Sequence, residues 1–245
     1  MNSAIIIAGG LGSRMGFSTP KQFVLVDDVP VIIYTLRAFE SHPSIDSIGV
    51  VCLEGWQDIL RDYAIRFGIT KLDWIIPGGD TAQTSIYHGV CHMEATSLPH
   101  DIIVIHDGIR PLVDASVLSD VLAVCKKYGN GVSALPYHEQ IFLLDPEDPY
   151  STVDYIPRDN LRRVSTPQAY RFDVLSQRYH EGFEKGIGIG PSSYANTMMV
   201  ELGERLYFAA GSDKNIKLTT QDDLELFTGY IRGDALAPLP LFEPV

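Results

Sequence analysis

A glycine-rich loop that carries two basic side chains follows the first apolar segment of the chain. The stretch AIIIAGGLGSRMGFSTPKQF begins with a β-branched run, typical of a buried strand, and then turns polar. Its glycines and cations are Gly9, Gly10, Gly12, Arg14 and Lys21. Glycines allow a tight turn and a close approach of the backbone to a ligand, and the N–H groups of such a loop attract anions. The loop therefore predicts a phosphate-binding site.

The loop does not match two common phosphate-binding motifs. A dinucleotide fingerprint requires GxGxxG, but with Gly10 and Gly12 as the first two glycines the third position holds Met15. A P-loop requires GxxxxGK followed by Ser or Thr, which neither GGLGSRMG nor TPKQF supplies. Hydride transfer with a dinucleotide and P-loop hydrolysis are therefore disfavoured.

Composition limits the kind of protein that carries this loop. The chain has 245 residues, of which 45% are apolar and 20% charged, enough for one domain with a substantial core. Its formal net charge of −12 disfavours a general nucleic-acid or anionic-membrane binder, because such surfaces attract phosphate through excess Lys and Arg. Any phosphate site is therefore local, and neither nucleic acid nor a membrane is an expected partner.

The cysteines and the chain start suggest a compartment. Cys52, Cys91 and Cys125 lie within apolar patterns and form no CxxC pair, so their spacing predicts neither a disulfide nor a zinc site. The first apolar run has no basic lead, and no segment reaches the apolar length that spans a bilayer. We therefore expect a soluble, cytoplasmic protein.

Short apolar strands alternate with amphipathic helices along the chain. The predicted strands are SAIIIA, SIGVVCL, LDWIIP, DIIVIH and, later, RLYFAA. The predicted helices cover 31–40, 56–67, 81–94, 114–129, 171–185 and 193–202, and Thr220 with Asp223 has the capping-box spacing of a further helix. This alternation predicts one α/β domain, Rossmann-like, with a mostly parallel sheet flanked by helices. Such sheets bind ligands beyond the carboxyl ends of their strands, where the glycine loop lies.

Residues 137–163 interrupt this alternation. The segment contains two short strand-like pieces around a turn rich in proline and acidic residues, which predicts a protruding β-arm. Exposed strand edges of this kind are often covered by a second copy of the chain, so a homodimer through the arm is expected. The domain is predicted to cover 1–235, followed by a proline-rich tail at 236–245.

Four further motifs accompany the glycine loop. They are PGGDTAQTS at 77–85, HDGIRP at 106–111, TPQAY at 166–170 and NIKLTT at 215–220. Together and in this order they resemble the methylerythritol-phosphate and ribitol-phosphate cytidylyltransferase family, and the resemblance covers nearly the whole chain. It implies a nucleotidyltransferase that joins CTP to a polyol phosphate, releases pyrophosphate and uses Mg²⁺.

The resemblance also implies a role for individual side chains. Charge neutralisation during catalysis would involve Arg14, Lys21 and Lys217. Nucleotide binding would involve Ala8, Gly9, Gly10, Gly12, Gly79, Asp80, Ser85 and Asp107. The acceptor would contact Arg110, Arg158 and Thr166, with Arg158 reaching a neighbouring subunit if the arm crosses to it. Asp107 would also contact Mg²⁺, which favours few carboxylates plus phosphate oxygens.

The histidines offer a weaker signal. His106 precedes Asp107, which suggests a catalytic pair, but neighbours on a strand point to opposite faces, so a structural role is predicted. The remaining histidines show no metal-ligand pattern in the sequence.

The sequence departs from the family on the acceptor side. Members usually carry Asp-Thr where this chain has Glu139 and Gln140 or the next pair, and Thr-Asp where it has SSYAN, including Ser193 and Tyr194. These changes favour an acceptor other than methylerythritol 4-phosphate, with D-ribitol 5-phosphate as the leading choice. Two alternatives remain at this point: the methylerythritol-phosphate enzyme of isoprenoid precursor synthesis, and a non-catalytic relative that binds nucleotide or a partner.

Overall fold

Alternating strands and helices build a seven-stranded sheet with helices on both faces. The computed structural model describes residues 1–10, 19–190 and 193–233. The strands are β1 (Asn2–Ala8), β2 (Leu25–Val26), β3 (Val29–Pro30), β4 (Ser47–Cys52), β5 (Leu72–Pro77), β6 (Ile102–Asp107), β7 (Asn130–Pro136), β8 (Ile141–Leu143), β9 (Asp154–Ile156), β10 (Arg162–Arg171) and β11 (Phe208–Ala210). The helices are α1 (Val31–Ser41), α2 (Gln57–Arg66), α3 (Ala82–Met93), α4 (Ala115–Tyr128), α5 (Phe172–Lys185), α6 (Ala195–Glu201) and α7 (Gln221–Arg232).

The main sheet is mostly parallel, as the sequence predicts. Its strand order is β11-β7-β10-β6-β1-β4-β5. Parallel pairs join β6, β1, β4 and β5 on one side and β7 with β11 on the other, while β10 runs antiparallel to both of its neighbours. The carboxyl ends of β1, β5 and β6 consequently meet at one edge, together with the loops that follow them.

Strand β1 shows why the run from Ala4 to Ala8 is apolar at every position. Ala4 and Ile6 pack into a core cluster with α1, α2 and α4, whereas Ile5 packs into a second cluster with α3, α5 and α6. A strand covered on both faces has no solvent-facing position, so its hydrophobic residues do not alternate with polar ones. The continuous apolar run thus identifies a central strand.

Helix boundaries agree with the predictions to within two residues. Gly129 ends α4 in the left-handed conformation, with φ of 93°, which a residue without a Cβ adopts at little cost. Thr220 caps α7, where its hydroxyl accepts from the Asp223 N–H and the Asp223 carboxylate accepts from the Thr220 N–H. No helix among the described residues is long and apolar enough to cross a bilayer.

Two strands of the sheet were not predicted. β7 has the sequence NGVSALP and β10 has RRVSTPQAYR, so neither has a simple apolar or alternating pattern. Their pairing is irregular as well, with a register shift between Val164 and Gln168. Long-range packing determines these strands more than local preference does.

The segment predicted as a β-arm is an insertion between β7 and β10. β8 and β9 form a separate antiparallel hairpin, and β10 begins at Arg162, so the last two residues of the predicted arm belong to the main sheet. Several large apolar side chains of the hairpin and its turn are exposed, among them Phe142, Tyr150 and Val153 at 56%, 97% and 86%. The insertion therefore presents apolar surface to its surroundings.

Candidate active site

A cleft with two connected lobes lies beyond the carboxyl ends of β1, β5 and β6. The narrow lobe has a volume of about 190 Å³ and lies beside the glycine loop. The wide lobe has a volume of about 450 Å³ and extends towards β10 and α6. Asp107 and Lys217 line both lobes and therefore stand at the junction between them.

The narrow lobe is enclosed by the start of the glycine loop and the loop between β5 and α3. Lining residues include Ala8, Gly9, Gly10, Lys21, Gly79, Asp80 and Ser85. The Ser85 hydroxyl accepts a hydrogen bond from the Gly79 N–H at 3.1 Å. A Cβ on Gly78 would lie 3.3 Å from the Cα of Gly9, so the two loops approach each other at glycines. The glycine backbone thus forms part of the wall of this lobe.

Gln22 anchors the start of the glycine loop, a role that the sequence motifs did not indicate. Its side chain is 1% exposed, and its Nε2 donates to the carbonyl oxygens of Ala8 at 2.7 Å and Gly10 at 3.2 Å. The Ala8 carbonyl also accepts from the Leu53 N–H, so Gln22 joins the end of the β1–β4 pairing to the start of the loop. The available sequence signal was a polar residue directly after Lys21, next to the apolar Phe23.

A charge cluster occupies the junction of the lobes. Asp107 accepts from Arg110 Nε at 2.9 Å, and Lys217 Nζ lies 3.2 Å from Asp107 Oδ2. Burial of Asp107 raises its pKa, but the positive charges of Lys217 and Arg110 outweigh burial and lower the pKa to about 2. The carboxylate is therefore ionised at neutral pH, and one anion is shared by two cations.

Asn215 connects this cluster to β10. Its side-chain Nδ2 donates to the Thr166 backbone carbonyl at 2.7 Å, and its backbone carbonyl accepts from Arg110 Nη1 at 2.8 Å. Thr166 in turn accepts from the Asp107 N–H through its hydroxyl at 3.1 Å. Asn215 is 4% exposed, so these contacts fix the loop that carries Lys217 against the end of β6.

The wide lobe combines an apolar floor with a few polar side chains. Ile7, Ile86 and Ile105 supply apolar surface. Two buried amides are oriented by their oxygens: Gln168 Oε1 accepts from the Tyr170 hydroxyl at 2.8 Å, and Asn196 Oδ1 accepts from the Thr197 N–H at 3.0 Å. Both amides line the lobe, so their NH₂ groups are the ends left to meet a ligand there.

Comparison with protein-family models identifies the family of this chain. The model of a family described as 2-C-methyl-D-erythritol 4-phosphate cytidylyltransferase matches residues 2–232. The chain belongs to this cytidylyltransferase family. The family recognised from the five motifs is thereby confirmed, as is an enzymatic nucleotidyltransferase rather than a protein of another class.

Members of the family with two different acceptors in their names are similar to this chain. Ribitol-5-phosphate cytidylyltransferase of Lacticaseibacillus paracasei is 55% identical over 96% of this chain and 100% of its own length. 2-C-methyl-D-erythritol 4-phosphate cytidylyltransferase of Desulforamulus reducens is 31% identical over 94% of this chain and 95% of its own. The fold is similar to that of 4-diphosphocytidyl-2C-methyl-D-erythritol synthase from Anaerococcus prevotii, with a TM-score of 0.77 and 21% identity over 94% and 96% of the two chains.

Most residues predicted for the cytidylyltransferase site line this one cleft. They are Ala8, Gly9, Gly10, Lys21, Gly79, Asp80, Ser85, Asp107, Arg110, Thr166 and Lys217. Gly12 and Arg14 lie outside the described residues, as does the tail at 236–245. Arg158 lies on the arm, where it donates to the His138 carbonyl and lines a different hollow together with Gln140.

His106 has the structural environment that its strand position predicts. It is completely buried, its ring packs against Phe39, and its Nε2 lies 3.1 Å from the Arg110 carbonyl. Burial lowers its pKa to about 4, so the imidazole is neutral at physiological pH. It supports the Asp107–Arg110 turn from inside the protein and does not border either lobe of the described cleft.

Proposed function

We propose that this cytidylyltransferase joins CTP to D-ribitol 5-phosphate, forming CDP-ribitol and pyrophosphate. The main observation in favour of this acceptor is the 55% identity to a ribitol-5-phosphate cytidylyltransferase along that protein's full length. The identity to a methylerythritol-phosphate relative is 31%. The departures from the family at Glu139, Gln140, Ser193 and Tyr194 support the same choice. The methylerythritol-phosphate reaction is the alternative that the test must exclude.

The proposed reaction exchanges one phosphoanhydride bond for another. A phosphate oxygen of the acceptor attacks the α-phosphorus of CTP, the bond from that phosphorus to the bridging oxygen breaks, and pyrophosphate leaves with the electron pair. Negative charge grows on the α-phosphoryl and pyrophosphate oxygens, so cations already in place stabilise the transition state. Lys21 in the narrow lobe and Lys217 at the junction are positioned for that role, and Arg14 remains a further predicted cation.

Two phosphorylated substrates also need correct mutual positions. Placing CTP in the narrow lobe and the acceptor in the wide lobe brings the reacting groups to the junction at Asp107 and Lys217. Fixed positions convert an encounter of two anions into a reaction within one complex, which removes much of its entropic barrier. The side chains need supply no nucleophile of their own.

The residues at the junction fit Mg²⁺. Mg²⁺ in nucleotide sites takes one or two carboxylates and otherwise phosphate oxygens and water. Asp107 offers an ionised carboxylate that lines both lobes, and Asp80 lines the narrow lobe. When bound, the ion neutralises charge on the triphosphate. Asp107 would hold it, while Lys217 and Arg110 keep the carboxylate in place.

The wide lobe suits an open-chain polyol phosphate. Gln168 and Asn196 present amide donors to hydroxyl oxygens, and the Thr166 hydroxyl and Arg110 lie on the side nearer the junction. Hydroxyl recognition by buried amides is selective, because an analogue without the hydroxyl leaves the amide unpaired. These side chains support recognition of a polyol chain in addition to its phosphate.

The first experiment offers three acceptors in parallel. We expect pyrophosphate release from CTP and Mg²⁺ with D-ribitol 5-phosphate, and much slower release with methylerythritol 4-phosphate or glycerol 3-phosphate. Coupled detection of pyrophosphate and identification of the CDP-polyol by mass spectrometry measure both products. Faster release with methylerythritol 4-phosphate would reverse the acceptor assignment, and binding of CTP without release with any acceptor would support a non-catalytic relative.

A substitution in the wide lobe tests whether the two lobes bind different substrates. Asn196→Asp keeps the oxygen that accepts from Thr197 but replaces the amide donor, so the KM for ribitol 5-phosphate is expected to rise about tenfold, equivalent to about 1.4 kcal/mol. The KM for CTP should stay unchanged. Glu201→Gln, at the exposed end of α6, changes the charge by one unit outside the lobe and serves as the control. A rise in the KM for CTP alone would contradict the assignment of the wide lobe.

The arm is proposed to pair with a second copy of the chain. Exposed apolar side chains on the arm favour contact with another protein surface. Arg158 lies on the arm and does not line either lobe of the cleft described for its own chain. In a two-fold dimer, Arg158 of the partner subunit would complete the wide lobe and hold the acceptor phosphate.

Mixed dimers test this arrangement. Lys217→Ala and Arg158→Ala chains are each expected to be weakly active alone. Mixed after unfolding, or co-expressed, they should recover about a quarter of wild-type activity, because half of the dimers are mixed and each has one intact site. No recovery in a dimer confirmed by sedimentation would mean that Arg158 does not act across the interface.

A further inference from the structure

Helices α3 and α5 bring three side chains with metal-binding groups together on the surface. Cys91 and Glu94 lie one turn apart at the end of α3, and His180 projects from α5 beside them. One potential ligand atom from each, a sulfur, a carboxylate oxygen and an imidazole nitrogen, lies within 4.8 Å of the other two. These three residues are not among those that line the two lobes of the cleft described above.

Neighbouring hydroxyls hold these groups in a defined orientation. The Tyr87 hydroxyl lies 2.9 Å from His180 Nδ1, which leaves Nε2 facing Glu94 at 2.5 Å. The Ser176 hydroxyl donates to Glu94 Oε1 at 2.8 Å. Metal-binding histidines in proteins characteristically engage their second ring nitrogen in such a hydrogen bond, which fixes the ring. Tyr87 and Ser176 therefore lie where residues that orient metal ligands are found in metal-binding proteins.

The local charge also favours a cation. Hydrogen bonds from His180 and Ser176 lower the pKa of Glu94, so its carboxylate is ionised. Among the described residues its close contact is with His180 Nε2, and no Lys or Arg forms an ion pair with it. Burial raises the pKa of Cys91, so its thiol stays protonated until a cation stabilises the thiolate.

We propose that Cys91, Glu94 and His180 bind Zn²⁺, with water as the fourth ligand. Zn²⁺ takes sulfur, imidazole nitrogen and carboxylate oxygen in tetrahedral geometry. Binding releases the Cys91 thiol proton and replaces the hydrogen bond between His180 Nε2 and Glu94. The latter two atoms must then separate to about 3.4 Å, the spacing of ligands on bonds of about 2.1 Å. Both side chains are partly exposed, at 47% and 40%, so they have room to adjust.

The role of this site is to link two helices. α3 begins with Ala82 and Gln83, which line the cleft, and its opposite end carries Cys91 and Glu94. A metal shared with His180 fixes α3 against α5 and thereby supports the wall of the cleft without contacting substrate. The sequence did not reveal such a site because its ligands come from two helices and are 89 residues apart at the extremes.

Metal titration tests the proposal on the full chain. After removal of metals by a chelator, calorimetry with Zn²⁺ is expected to show one site per chain, and Co²⁺ a thiolate charge-transfer band in the near ultraviolet. Cys52 and Cys125 are buried, so this band reports Cys91. Cys91→Ser should abolish the band, and His180→Ala should weaken Zn²⁺ binding at least about tenfold. Zn²⁺ should raise the melting temperature of the wild type and of neither variant.

His138→Ala supplies the matched control, since it removes an exposed histidine on the arm. It should bind Zn²⁺ as the wild type does. The proposal is overturned if the wild-type chain shows no thiolate band with Co²⁺, or if Cys91→Ser and His180→Ala bind Zn²⁺ with unchanged affinity. Binding lost in Asp107→Asn instead would locate the ion in the substrate cleft.

Discussion

Lys217→Ala is expected to lower kcat by about 10²- to 10³-fold, the usual effect of removing one preorganised donor to a transition-state charge. The KM for CTP should change much less. Steady-state kinetics with both substrates varied would measure the two constants separately. The asymmetry follows from the proposed role, because a group that interacts more strongly with the transition state than with bound CTP affects kcat more than binding.

The geometry at the junction explains why Lys217 is assigned this large effect. Its ammonium lies 3.2 Å from Asp107 and faces both lobes, where the α-phosphate would lie between its two partners. Asn215 fixes the loop through Thr166, so the charge is in place before the substrates react. Preorganisation of this kind lowers the barrier because the protein does not reorganise as charge develops.

Lys214→Ala is the matched control, since Lys214 is an exposed lysine on the same loop and lines neither lobe. Its kinetics should resemble those of the wild type. An equal loss in kcat and in CTP affinity for Lys217→Ala would assign this lysine to ground-state binding, and unchanged turnover would remove it from the site.

The sequence predicted the parts of the fold whose signal is local. The central strands contain continuous apolar runs because both faces are covered, and α7 begins at its Thr220 capping box. The meeting of the candidate site residues from the loops after β1, β5 and β6 in one cleft was predictable for a related reason. Parallel strands place those loops at one edge of the sheet, so motifs far apart in the chain meet there.

The residues that sequence reasoning missed depend on long-range contacts. Gln22 supports the glycine loop from a buried position, and Asn215 connects Thr166 to Arg110 across more than 40 residues of chain. A single Gln or Asn forms no periodic pattern or motif spacing in the sequence that would indicate such a role. Arg158 differs again: its predicted contact requires a second chain, which neither the sequence nor one folded chain can supply.

Asp107→Asn is expected to reduce both activity and stability. The amide cannot balance Lys217 and Arg110, whose charges then lie partly buried without an anion, and it is a poorer ligand for Mg²⁺. We expect turnover to fall by at least about 10²-fold, measured as pyrophosphate release at saturating CTP. Added Mg²⁺ should not restore it if the carboxylate itself is required.

The stability effect has a defined dependence on pH. Lys217 and Arg110 lower the pKa of Asp107 from 3.8 to about 2, so folding favours the ionised form. A pKa lowered in the folded state stabilises the protein above the unfolded pKa, and the stabilisation disappears as pH falls towards 2. At neutral pH, in metal-free buffer, the wild type should exceed Asp107→Asn by about 2 kcal/mol in free energy of unfolding. Between pH 4 and 2 that difference should shrink.

Denaturant unfolding at several pH values would measure this difference. Asp213→Asn is the control, because Asp213 pairs with Arg163 on the surface and is 84% exposed, so its loss should change stability little at any pH. A difference for Asp107→Asn that stays constant from pH 7 to the acid limit would show that the charge pairing is not its source. If stability is kept while activity is lost, Asp107 acts on the substrates or Mg²⁺ alone. Loss of both would mean that one carboxylate holds the two cations in position and also takes part in the reaction.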